Sequence, residues 1–235
     1  MKWILDALLW LHIGAGFLSV VLFWVPMFTK KGGKAHRRIG QWYVWLMWIV
    51  VVSAALLSIK NFVIGSYIMA SFLGFISIIT GKVLWEGIAI LRQKKGYAPW
   101  YRQVEIGTNT AVVLAAVALI IYGFQFLGKP VAAIMFFFGA LGLTSIRDLR
   151  NALKHSPDQR PNWYLHHLDS MVTSGIAAYT AFFVFGANRF ISQYFEGFWA
   201  VIPWVAPGVL GGLAIHFYKK SFRKRTRASQ KPSIA

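Results

Sequence analysis

Apolar residues in this chain run in seven long stretches instead of the alternating or amphipathic patterns of soluble elements. A hydrocarbon layer about 30 Å thick is crossed by roughly 20 helical residues, so the sequence divides wherever such runs meet basic or turn-forming clusters. Trp3 to Phe28 is the first expected span. The second runs from Gln41 to Ile59 and is closed by a two-residue hairpin, Lys60 and Asn61, after which Phe62 to Leu91 forms the third. The fourth is Gln103 to Leu127, and a tight Gly128, Lys129, Pro130 turn leads into a fifth that ends near Ile146. A polar segment from Arg147 to Asn162 precedes the sixth span, Trp163 to Gly186. The seventh lies between Gly197 and Phe217, interrupted by Pro203 and Pro207. Only helices and closed barrels satisfy their backbone polar groups in hydrocarbon, so these runs predict an all-α polytopic transmembrane bundle. No internal repeat is visible. Residues 1–217 read as one seven-helix domain, and 218–235 as a basic, disordered cytoplasmic tail.

Charge orients the bundle. The chain carries 25 Lys and Arg against 7 Asp and Glu, a formal net charge of +18. Only Lys2, Lys60, Lys129 and Arg189 fall on one side, and Lys82 lies inside a span; all the others occupy the first, third and fifth connections or the tail. Cytoplasmic connections gather basic residues, which predicts an external amino terminus and a cytoplasmic carboxy terminus in a bacterial inner membrane. The expected partners of these residues are the lipid bilayer and its anionic headgroups, not nucleic acid. The first span is too long for a signal-peptide core and shows no small-residue cleavage site after Pro26, so it is expected to stay. The chain has no cysteine, which excludes disulfides, thiolate-held clusters and cysteine nucleophiles.

Ionisable groups inside spans are costly and therefore informative. His12 falls near mid-membrane, with Gly16 and Ser19 on the same face. Lys82 and Glu86, four residues apart near the cytoplasmic end of the third span, are expected to form a structural ion pair. Glu105 reads as opening the fourth helix, where a carboxylate complements the positive helix start, with Thr108 and Asn109 on the inner turn. On the sixth span Ser170, Ser174 and Ala178 form a small-residue seam that predicts a central position. His36, His166, His167 and His216 all fall at the cytoplasmic level, while His155 is expected to face solvent.

Two chemistries suit these histidines. His12 has Gly16, His36 has Gly40 and His216 has Gly212 one turn away, and a histidine-ligated macrocycle needs such bulk-free backbone. Haem b held among His12, His36, His166 and His216 would give a redox-linked membrane component. A zinc-dependent hydrolase is the competing enzyme, with His166, His167 and Asp169 as ligands, His36 or His216 as further nitrogen donors, and Glu86 as base. Seven spans with an external amino terminus look like the membrane hydrolases related to alkaline ceramidases, but the chain lacks their His-x-x-x-His pair. A third class performs no chemistry: a scaffold, lipid-binding or small-solute transport protein. Phosphate-cradling glycine loops and nucleophile elbows are absent from the sequence.

The stretch from His36 through Arg37, Arg38, Gly40 and Trp42 to Tyr43, preceded by Leu11, His12 and Gly16, resembles an uncharacterised family of bacterial multi-pass membrane proteins. Its members carry His-Arg-x-x-Gly-x-x-Tyr at the start of the second helix. The resemblance implies a membrane location and singles out His12, His36, Arg37, Gly40 and Tyr43 without giving them roles.

Overall fold

The computed structural model describes residues 2–186 and 197–229. Eight α-helices account for nearly all of it: α1 Lys2–Phe28, α2 Lys34–Val63, α3 Tyr67–Ala89, α4 Pro99–Gly123, α5 Pro130–Leu143, α6 Ser145–Lys154, α7 Trp163–Ala181 and α8 Ile202–Ser229. Among the described residues, seven helical stretches are long and apolar enough to cross a membrane, α5 and α6 together making one of them. Their outward faces are unlike those of a soluble protein, with Trp10 71%, Trp45 67% and Leu210 67% exposed. Such a continuous apolar belt belongs against lipid tails. The molecule is an all-helical, multi-pass membrane protein.

Helix boundaries depart from the hydropathy reading in three places. Lys60 and Asn61 do not form a hairpin, because α2 continues to Val63. Chain reversal waits for Gly65, whose φ of +80° suits a residue without a side chain. The fourth helix starts at Pro99, in the first-turn position proline favours, so Glu105 sits two turns in instead of at the helix start. Most consequential is the segment after Ile146. Helical hydrogen bonding lapses for one residue at Thr144, whose hydroxyl bonds the Leu141 carbonyl at 2.6 Å, then resumes as α6 through Lys154. Polar composition made that stretch read as loop, but an amphipathic helix tolerates such a composition at the edge of a bundle.

Two apolar clusters hold the interior. Phe72 and Phe75 of α3 pack with Ala116 and Leu119 of α4 and with Ile134, Met135 and Phe138 of α5. Val20, Tyr43, Met47, Leu84 and Ala178 join α1, α2, α3 and α7. On α7, Ser170, Ser174 and Ala178 are buried, and the helix packs against α1, α3 and α8. It ends in a π-helical turn, Phe182–Gly186. The last helix is attached differently, since none of the residues in its most apolar window is buried. Trp204 rests on Phe72 and Phe138, and at the other end Lys219 pairs with Asp169 at 2.7 Å. The helix runs on to Ser229. Arg189 and residues 230–235 lie outside the described residues.

Candidate functional site

At the end of the bundle that carries the basic connections, α3, α4, α6 and α7 converge on charged side chains instead of apolar ones. Lys82 Nζ lies 3.5 Å from Glu86 Oε1 one turn along α3, and 3.1 Å from Asp148 Oδ2 of α6. Both Lys82 and Glu86 are buried, whereas the Asp148 side chain is 51% exposed. Asn109 of α4 donates to Glu86 Oε1 at 3.4 Å and to the Glu105 carbonyl at 2.8 Å, bridging the two carboxylate-bearing turns. His166 of α7 brings Nε2 to 4.0 Å from Glu86 Oε2. On the far side Glu105 Oε2 lies 3.0 Å from His155 Nδ1, and the His155 ring stacks on Tyr97 at 3.8 Å between centroids.

Local structure explains how His155 arrives there. Arg102 donates to the Ala152 and Leu153 carbonyls at 3.2 and 2.9 Å, closing the last turn of α6. That placement complements the negative end of the helix. Gly96 lies so close to Pro157 that a Cβ there would overlap its carbonyl oxygen, and this close approach seats Tyr97 beneath the imidazole. The expectation that His155 faces solvent is therefore corrected: its side chain is 11% exposed and paired with a carboxylate. Burial, reinforced by the negative charge of Glu105, pushes the Tyr97 phenol up to about 12.

Two buried polar atoms in this cluster, the Tyr101 hydroxyl and Asn109 Oδ1, have no hydrogen-bond partner. Tyr101 lies within electrostatic reach of both Glu105 and Glu86. Glu86 and Asp148 thus share one cation, Lys82, while Glu105 meets His155.

The remaining sequence candidates scatter. His12 Nδ1 lies 2.8 Å from Ser53 Oγ, and that hydroxyl donates in turn to the Ile49 carbonyl at 2.6 Å, so the imidazole is the donor of the pair. His12 also lines a cavity of about 50 Å³ with Ser77 and Thr80, whose hydroxyl is unpartnered. That volume suits about one water. His36 and His167 approach each other, with ring centroids 6.5 Å apart. His216 is exposed and meets Phe217 edge-on. His166, His167 and Asp169 are turned to three different partners, namely Glu86, the Gly87 carbonyl and Lys219. Among the described residues no three His, Asp or Glu side chains are grouped to hold a metal ion.

The glycines offered as clearance for a macrocycle serve other purposes. Gly16 faces Val50 and Gly40 faces Pro26, both across the α1–α2 contact, and Gly212 looks into open space. The histidine-lined space beside His12 is small, and the larger groove of about 460 Å³ between Ser58, Phe62, Tyr67 and Tyr122 has no histidine in its lining. Neither of these two spaces is both haem-sized and lined by a histidine. Of the motif residues, Tyr43 is buried and bonds Ser174 across to α7 at 2.8 Å, while Arg37 and Arg38 are exposed beside the basic connection.

Asp148, His155 and Tyr97 are the members of the site that hydropathy missed. Asp148 carried one available signal: three residues separate it from Ala152 and Arg147 precedes it, the spacing of an amphipathic helix instead of a loop. Lys31, in the first connection, has its ammonium lowered by partial burial and donates to the Pro26 and Met27 carbonyls at the end of α1. Comparison with protein-family models, curated proteins and solved structures finds no match to this chain.

Proposed function

We propose that this protein is a proton-handling carrier of a bacterial cytoplasmic membrane, amino terminus outside and basic end cytoplasmic, in which Glu86 and Glu105 exchange protons with His166 and His155. The observation that carries this reading is the burial of two carboxylates on adjacent helices, Glu86 meeting Lys82, Asn109 and His166 and Glu105 meeting His155. Ionisable groups held inside a bundle pair with one another and mark ion pathways and proton relays. An imidazole titrates near neutrality, and a carboxylate beside it supplies the acceptor for its proton. The half-exposed Asp148 gives the buried pair a route to the cytoplasm through Lys82. Arg37, Arg38 and the basic tail are proposed to anchor this end among anionic headgroups.

Voltage-driven proton entry into proteoliposomes, reported by an internal pH dye, tests the assignment. Flux above that of protein-free vesicles is expected, cut at least about tenfold by Glu86→Gln or Glu105→Gln while the protein stays folded. Equal flux in protein-free, wild-type and variant vesicles would remove the proposal.

A further inference from the structure

Midway along the bundle α7 presents Ala177, Ala178 and Ala181 to its neighbours, and their methyl groups are too short to close the space between helices. The result is the cavity of about 50 Å³ bordered by His12 of α1, Met47 of α2, and Ser77 and Thr80 of α3. Phe185, from the π-helical turn that ends α7, completes the lining, and turns of that kind recur at functional sites.

Hydroxyls elsewhere in the bundle interior are satisfied by backbone carbonyls. Ser19 donates to Ala15, Ser53 to Ile49, Ser77 to Val51 and Thr180 to Ile176. Thr80 is 4% exposed and makes no such bond, so its Oγ1 is without a partner. A buried hydroxyl left unpaired is destabilising, and its hydrogen calls for an acceptor. His12 has Nδ1 committed to Ser53 Oγ, which leaves Nε2 of the neutral ring as a lone pair. Ser77 has already given its hydrogen to Val51, so its oxygen can only accept.

We infer that His12, Ser77 and Thr80 form a binding site for one water molecule inside the membrane. Thr80 donates to the water oxygen, and the two water hydrogens go to His12 Nε2 and Ser77 Oγ, about the three bonds typical of an internal water. Apolar cavities of this size and larger stay dry, so the polar side chains decide occupancy. His12 is the one ionisable group among the described residues of the lining, so a charge here would have no partner. Ring and water are both neutral, and the water ties α1 to α3 by hydrogen bonds alone. The helical advance from Thr80 to Glu86 turns the two onto different faces of α3, so the site does not rest on proton movement at the carboxylates.

Radiolytic hydroxyl-radical footprinting of the full-length protein in detergent tests the site, because a bound water split by X-rays oxidises the side chain beside it even where bulk solvent is excluded. Met47 and Met135 are 1% and 0% exposed, but Met47 borders the cavity while Met135 packs with Phe72 and Phe138. In the wild type Met47 is expected to oxidise at least about fivefold faster than Met135, a comparison that needs no variant to fold. Thr80→Val, which keeps the shape and removes the hydroxyl, should bring Met47 down to the Met135 rate, and Thr80→Ser should keep it high. NMR of histidine-labelled protein in lipid should show magnetisation passing from water to His12 Nε2. Equal rates for the two methionines, a Met47 rate indifferent to Thr80→Val, or no transfer from water to His12 would each overturn the site.

Discussion

His166 and His167 are neighbours in sequence and occupy opposite chemical settings. His166 looks towards Glu86 in a cluster with three carboxylates, while His167 bonds the Gly87 carbonyl and faces His36. One residue of helical advance rotates a side chain by about 100°, enough to carry it from one interhelical seam to the next. A pair of adjacent histidines on a central helix is therefore two separate instruments, and composition alone lumps them together.

The largest expected effect breaks the charged side of this comparison. Lys82→Met leaves Glu86 and Asp148 without their shared cation, and removing one partner of a buried ion pair costs about 3–5 kcal/mol. Denaturation in detergent should record that loss, whereas His36→Ala, which strands no charge, should stay close to wild type. Gly87 lies where the two settings touch. Gly87→Ala would drive a methyl into Met171 and against Ser170, at a cost of about 1 kcal/mol because the methionine end can shift. Gly107→Ala, which meets nothing within 4 Å, should leave stability intact.

The smallest effect concerns Tyr97. Its phenol is raised to about 12 by burial and by Glu105, against about 10 in an unfolded chain. Between those values the unfolded state sheds a proton that the folded state keeps, so stability falls as pH rises through the window. Melting temperatures measured from pH 9 upwards should decline less steeply in Tyr97→Phe than in the wild type. Equal slopes would show that burial and Glu105 do not raise the Tyr97 phenol.

Much of the fold was legible in the sequence because hydrocarbon imposes one rule on every span, and runs such as Trp3 to Phe28 obey it visibly. The same rule fails at the membrane edge. There α6 reads as loop because Arg147, Asp148, Arg150 and Asn151 lower its hydropathy, although their spacing is helical. Losing α6 hid both Asp148 and the clamp by which Arg102 brings His155 inward. The vertical level of each histidine could be counted along its helix. Lateral convergence depends on which helices adjoin, so the pairing of His36 with His167, the turning of His166 to Glu86 and the isolation of His216 were beyond reach of spacing. Asn109 was visible as a polar residue on an inner turn, but its bridging role needed α3 beside α4.

The attachment of α8 bears on how the chain is assembled. Trp204 grips one end and the Asp169–Lys219 pair the other, and between them Gly211 lies tight against Ile176 of α7 although no residue of the stretch is fully buried. The helices before it already enclose both apolar clusters, apart from the edge against Trp204. Insertion should therefore proceed through a nearly complete intermediate onto which α8 folds as a final, separable event, giving this protein a natural order of biogenesis from its amino-terminal end.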